Sequence, residues 1–182
     1  MRILMLNGIT KDEKYKKYEE EIEKQVIKNT TCEIDYFRLR DMNINYCCGC
    51  WDCWVKTPGR CAIKDDHEQI LSRIPNVDLI LYITPVILGY ESSILKTCKD
   101  RIIGSAHPYI TLHKGEQHHV QRYESMPDIS VIIITDEDTT EKDIELIAST
   151  YFRNALNFRK DDLSKFATIN NVGGIKNVFD CL

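Results

Sequence analysis

Short apolar runs alternate along this chain with polar stretches of helical spacing, and that alternation restricts the fold more than any other feature. Ile3-Leu4-Met5-Leu6 closes at Asn7-Gly8, Val77-Asp78-Leu79-Ile80-Leu81-Tyr82-Ile83 closes at Thr84-Pro85, and Ile129-Ser130-Val131-Ile132-Ile133-Ile134 forms a third run. A strand buried on both faces reads as a nearly continuous apolar run, so these are read as central strands. Residues 32–39 and 166–172 supply two more strands of weaker pattern. Between them, residues 11–29 place Tyr15, Tyr18, Ile22 and Val26 at spacings of three and four. Helices are also expected over 65–74, over 140–157, and after Ser92 and Ser93, whose hydroxyls can cap a segment carrying Ile94, Leu95, Cys98 and Ile102. Strands alternating with helices imply a parallel sheet covered on both sides. The reading is a three-layer α/β fold with a five-stranded parallel sheet in the order 2-1-3-4-5. No repeat or linker divides the chain, so residues 1–182 are taken as one domain.

Composition narrows the function classes. A formal charge of -4 argues against binding nucleic acid, whose phosphates call for a basic face. No apolar run approaches the ~18 residues of a spanning helix, so a soluble, cytoplasmic protein without a membrane partner is expected. Residues 105–127 lack periodicity and read as a long loop, with His107, His113, His118 and His119 in solvent rather than on a metal. Of eight cysteines, Cys47, Cys48, Cys50, Cys53 and Cys61 fall in one short segment, while Cys32, Cys98 and Cys181 stand alone and read as small buried hydrophobes. In a reducing compartment the clustered thiols should form no structural disulfide.

Three segments carry chemistry. Gly8, Ile9, Thr10 and Lys11 join the first strand to the first helix, where unpaired backbone N–H groups and the helix dipole favour a phosphate. Thr84, Pro85, Val86, Ile87, Leu88 and Gly89 leave the third strand at the same end, and could pack on a flat ring. Together they make a mononucleotide site, or else two ordinary connections. The third segment, Cys47-x2-Cys50-x2-Cys53-x7-Cys61, has the tight spacing of iron-sulfur ligation; a packed loop, a zinc site or a redox disulfide are the alternatives, and Cys48 is spare in the cluster reading. No catalytic acid, base or nucleophile stands out.

The run from Cys47-Cys48-Gly49-Cys50-Trp51-Asp52-Cys53-Trp54 through Pro58-Gly59-Arg60-Cys61 to Asp65-Asp66 resembles the signature of flavodoxin-fold NAD(P)H-dependent FMN reductases and iron-sulfur flavoproteins. So do Thr84-Pro85-Val86, Gly89, Ser92-Ser93, Leu95-Lys96 and Asp100-Arg101. The resemblance spans residues 1 to about 101. It implies a flavodoxin-like fold and an FMN-dependent oxidoreductase passing electrons from NAD(P)H to a flavin, quinone-like or iron-sulfur acceptor. It also implies FMN on Gly8 to Lys11 and Thr84 to Gly89, a [4Fe–4S] cluster on Cys47, Cys50, Cys53 and Cys61, and small-molecule electron donors and acceptors as partners. A homo-oligomer, dimer or tetramer, is expected through the Trp51 and Trp54 segment. The departures lie at the flavin end. Ile9 stands where the family places Ser, Lys14-Tyr15-Lys16 where Asn-Thr would fall, Ile87 at an aromatic position, and Asp136-Glu137-Asp138 in place of a Gly-rich loop. They predict weakened FMN binding, and the alternative function is a flavodoxin-fold interaction protein that has lost FMN.

Overall fold

Five consecutive buried residues make β1 (Arg2–Asn7) a strand covered on both faces, and the sheet grows outward from it. In the computed structural model, which describes residues 1–29 and 31–179, β2 (Glu33–Arg38) and β3 (Leu79–Ile87) flank β1, followed by β7 (Asp128–Ile134) and β8 (Lys165–Ile169). All four of these pairings are parallel, so the observed order β2-β1-β3-β7-β8 is the expected 2-1-3-4-5 arrangement. Alternate strand residues feed two cores. Leu4, Leu6, Ile80, Tyr82, Val131 and Ile133 pack toward α3 (His67–Leu71), α4 (Ser93–Asp100) and α5 (Glu141–Asn157). Ile3, Met5, Leu81, Ile83 and Ile132 pack toward α1 (Lys16–Lys28) and α6 (Gly173–Phe179).

The helix starts follow local chemistry. Ser92 caps α4, its Oγ accepting the Leu95 N–H, and Thr140 and Asp143 form a reciprocal capping box on α5. A short 3-10 turn, Glu13–Tyr15, precedes α1.

Four expectations need correction. β3 does not stop at Thr84-Pro85: Pro85 sits opposite Ile134, and the strand runs to Ile87 before folding back as β4 (Tyr90–Glu91). The extension follows from a two-residue turn at Leu88 and Gly89, both at positive φ (50° and 77°), the turn whose twist suits a hairpin. Residues 105–127 are no loop but largely a hairpin of β5 (Ala106–His113) and β6 (Glu116–Gln121), closed by Lys114 and Gly115 at φ 50° and 82°. Its His118 is buried, with Nδ1 3.0 Å from Asn157 Oδ1, rather than in solvent. The last strand ends at Ile169 rather than Val172, and α6 follows over residues 173–179, where the pattern gives no element; α2 (Asp52–Val55) likewise interrupts the Cys-rich loop. Cys98 is fully buried as expected, Cys32 is half-buried, and Cys181 lies outside the described residues. The seven described cysteines are all free. No helix among the described residues is long and apolar enough to cross a membrane.

Candidate functional site

Two loop systems carry the chemistry. The first lies at the carboxyl ends of β1, β3 and β7. Asn7 is buried, and its Oδ1 accepts the Ile9 N–H at 2.9 Å while its Nδ2 donates to Tyr36 Oη (2.8 Å) and Glu19 Oε1 (3.2 Å). Arg40 caps this network with an ion pair to the buried Glu19. Burial pushes the Tyr36 hydroxyl up to about 12, and the Glu19 and Glu23 charges add to the shift against the opposing Asn7 hydrogen bond. Gly8 donates its N–H to Ile83 O at 2.7 Å and accepts Ser92 Oγ–H at 2.6 Å. A Cβ at Gly8 would lie 2.7 Å from Leu95 Cβ, so the loop is pressed against the start of α4 and only glycine fits. Ile9 is buried, and Lys11 is exposed in a groove with Asp12, Glu13, Glu19, Glu20 and Glu23.

Beside this loop, a cavity of about 260 Å³ is bounded by Val86, Ile87, Leu88 and Gly89 on one side. Asp12, Lys14, Tyr15, Asp136, Asp138 and Thr139 complete it. Of the residues assigned to a flavin loop, Thr84, Pro85 and Val86 are buried in the sheet, and only Ile87 to Gly89 project as a tip. Leu88 is 101% exposed and holds the left-handed conformation unfavourable to a branched side chain. The tip is anchored from below, where the buried Glu91 carboxylate accepts from Tyr151 Oη and pairs with Lys99 Nζ at 2.6 Å. Lys14 pairs with Asp136 at 3.1 Å, and contact with Tyr15 and Asp136 holds its ammonium firmly protonated.

The apolar tip and Tyr15 form a wall suited to a flat ring. The phosphate end is a poorer match for an FMN phosphate. Gly8 and Ile9 direct their N–H groups inward, and Asp12 places its own carboxylate at the start of the first helix, 3.1 Å from Lys14 N.

The second system is the Cys-rich loop. Cys47, Cys50, Cys53 and Cys61 all line one cavity of about 320 Å³, and so does Cys48, together with Trp51, Ile63, Arg101 and Ile103. Cys47 and Cys50 are exposed, while Cys53 and Cys61 are partly covered. The loop is held by a buried ion pair. Arg101 Nη1 lies 2.5 Å from Asp65 Oδ2 and 3.0 Å from Asn45 O, and Nη2 lies 3.3 Å from Ile63 O. Asp65 also accepts the Asn45 N–H (2.9 Å) and the His67 N–H (3.2 Å). Burial alone would raise the Asp65 carboxyl, but the bonds from Arg101 and Asn45 outweigh it and hold it well below the usual carboxylate range. Burial pushes the Cys53 thiol up, and the nearby Cys61, Cys47 and Cys50 sulfurs push the same way.

Trp54 fastens the loop to the following hairpin, its Nε1 donating to Ala106 O (3.0 Å) and Ile103 O (3.3 Å), and Trp51 stacks on it at 4.8 Å. Trp54 is thus engaged within the chain, while Trp51 remains 56% exposed at φ 61°.

Among the described residues, no three His, Cys, Asp or Glu side chains converge tightly enough for a single metal ion. A zinc site needs such convergence, with donors ~2.3 Å from one point. A four-iron cluster is instead bound through thiolates on separate irons, so thiols spread around a cavity suit it.

Arg101, Asn7, Glu19 and Asp12 carry structural roles that the pattern reading did not assign. The available signal was an acid or a base directly beside apolar residues, as in Arg101-Ile102-Ile103.

The profile of the NADPH-dependent FMN reductase family matches residues 1–113. The chain belongs to that family. An iron-sulfur flavoprotein of Methanocaldococcus jannaschii is 38% identical over 69 residues, covering 38% of this chain and 35% of that protein. One from Archaeoglobus fulgidus is 29% identical over 101 residues, covering 56% of this chain and 48% of that protein. The matches thus span about a third to a half of these relatives' lengths. The NAD(P)H:quinone oxidoreductase of Methanothermobacter marburgensis shares the fold at TM-score 0.60 and 13% identity, over 100% of this chain and 92% of that one. The FMN-dependent NADH-azoreductase of Bacillus anthracis, solved in complex with FMN, shares it at TM-score 0.56 and 13% identity, over 99% and 95%. These likenesses establish the flavodoxin-like architecture.

Proposed function

We propose that this protein is a flavin-dependent oxidoreductase, drawing electrons from NAD(P)H and passing them to a flavin, quinone-like or iron-sulfur acceptor. In this reading Cys47, Cys50, Cys53 and Cys61 hold a [4Fe–4S] cluster. The observation that carries it is the placement of these four thiols around one cavity whose loop ends are fixed by the Arg101–Asp65 pair. Family membership and the iron-sulfur flavoprotein relatives support it.

A bound cluster would supply one-electron exchange, and a flavin ring would supply the conversion between hydride and single electrons. The chain's own residues do the rest. Arg101 and Asp65 orient the thiols by fixing Asn45 and Ile63, and the guanidinium sets a positive charge against an anionic sulfur cage. The raised Cys53 thiol is protonated near neutrality, so loading the site releases a proton there. Ile87 and Leu88, at the tip of the β3–β4 hairpin, offer the apolar face that a ring stacks on. A second copy of the chain is the proposed cover for the exposed Trp51, Val55 and Leu112, read out by sedimentation as a dimer or larger assembly.

The test is anaerobic purification followed by absorbance and analysis for iron and acid-labile sulfide, with about four of each per chain expected. Cys53→Ser and Cys61→Ser should each abolish the iron and leave any flavin bands. Anaerobic protein without iron and sulfide overturns the cluster reading. A protein that stays colourless with added flavin as well would fit an interaction protein on the same fold.

A further inference from the structure

We infer that the β1 end of this protein does not recognise the terminal phosphate of a flavin nucleotide, so that a flavin lacking phosphate binds at least as well as FMN. This rests on the flavin reading above and specifies its ligand class.

A phosphate dianion at a strand-to-helix turn is held by free backbone N–H groups, a helix start and a nearby cation. Several of these are taken by the chain. The Gly8 N–H is bonded to Ile83 O at 2.7 Å and the Ile9 N–H to Asn7 Oδ1 at 2.9 Å. Ser92 Oγ, packed against the loop from the start of α4, donates to Gly8 O. The 3-10 turn that leads into α1 carries Asp12, whose Oδ1 accepts Lys14 N–H at 3.1 Å and sets a carboxylate beside the loop. The cations are matched as well: Lys14 with Asp136 at 3.1 Å, Lys16 with Glu13 at 3.1 Å, and Arg40 with the buried Glu19. Lys11 lies in a groove whose other cations, Lys16, Arg38 and Arg40, are each paired with an acid there: Glu13, Glu23 and Asp41, and Glu19. The cavity beside the hairpin tip therefore presents Asp12, Asp136 and Asp138 against Lys14 alone. A phosphate entering it would meet three carboxylates, whereas an uncharged ribityl chain would meet hydrogen-bond acceptors. The ring wall of Val86, Ile87, Leu88 and Tyr15 is indifferent to the difference.

The experiment is a pair of fluorescence titrations of the full chain, one with riboflavin and one with FMN. Riboflavin is expected to bind as tightly as FMN or more tightly. Asp12→Asn keeps a good helix cap while removing the charge, and Asp136→Asn frees Lys14. Each should tighten FMN by about two- to fivefold and leave riboflavin unchanged. Thermal melts confirm that both variants are folded. Wild-type FMN binding about tenfold tighter than riboflavin, or Asn variants that shift both flavins equally, would overturn the inference while leaving the flavin reading intact. If neither flavin binds, the flavin reading itself fails, and the inference with it.

Discussion

The Cys-rich loop and the β1 loop are both irregular segments laid over buried polar networks, yet the networks do opposite things. Under the Cys-rich loop, Arg101 and Asp65 direct hydrogen bonds at the backbone of Asn45, Ile63 and His67, and the described thiols above them form no disulfide. Under the β1 loop, Asn7, Glu19, Tyr36, Arg40 and Ser92 bond to one another and to the loop itself, including N–H groups that a ligand would need. The same fold thus carries one loop held open for chemistry and another closed on itself. A family's architecture places both loops, but the direction of a handful of hydrogen bonds decides whether each can receive anything.

The sharpest way to break this contrast is to cut each network at its arginine. Arg101→Met leaves Asp65 charged and buried without its partner, and should destabilise the protein by about 3–5 kcal/mol in urea unfolding. Arg40 is partly exposed, so Arg40→Met should cost less, about 1–3 kcal/mol. Equal losses would mean that the β1 network is as structurally demanding as the other.

A second measure is acid sensitivity at the base of the Cys-rich loop. His67 is fully buried with Nε2 2.9 Å from Cys98 O, and burial, aided by the nearby Arg101 charge, lowers its imidazole to about 4 from 6.5. The unfolded chain therefore binds a proton that the folded one refuses between these values. The stabilisation present above pH 6.5 falls away as the pH drops toward 4, by about 3 kcal/mol in total from this group. Asp65, depressed in the folded state, adds a further loss as the pH falls below the ordinary carboxylate range. His67→Gln should flatten the upper part of that profile, and an unchanged slope between pH 4 and 6.5 would show the imidazole titrates normally.

The smallest expected effect is at Trp54. Removing the indole donor in Trp54→Phe should cost about 1 kcal/mol and expose residues 45–65 to limited proteolysis, without shifting the acid profile. No change in cleavage would show that the hairpin is not what holds the loop.

The layered fold was legible because its central strands are buried on both faces, so Leu79 to Ile83 and Ile129 to Ile134 read directly as apolar runs. The hairpin over residues 106–121 was not. β5 and β6 are half-exposed, their alternation is diluted by His107, His113, His118 and His119, and their turn is Lys114-Gly115 rather than a residue pair of strong turn preference. The extension of β3 past Pro85 was hidden for a related reason, since Pro85 removes a ladder donor and Leu88 is a poor residue for the left-handed turn that follows. At the site, the residue types were visible and their partners were not. Spacing brought the thiols to notice as a set, but nothing in it announced that Asp65 would reach across 36 positions to Arg101, or Asn7 across 12 to Glu19.

The clasp at Arg101 has a consequence in polymer terms. It joins Asn45 to Asp65, twenty positions apart, and so closes the intervening chain into a ring as the domain folds. Bringing the ends of a free segment of that length together costs on the order of 2–3 kcal/mol in chain entropy. Here that entropy is lost during folding, before any group arrives between the thiols. On the proposed function, a cluster would have only the interior of a ring already drawn shut to arrange, and its capture would be governed by the local freedom of residues 47–61 rather than by a search for the two ends.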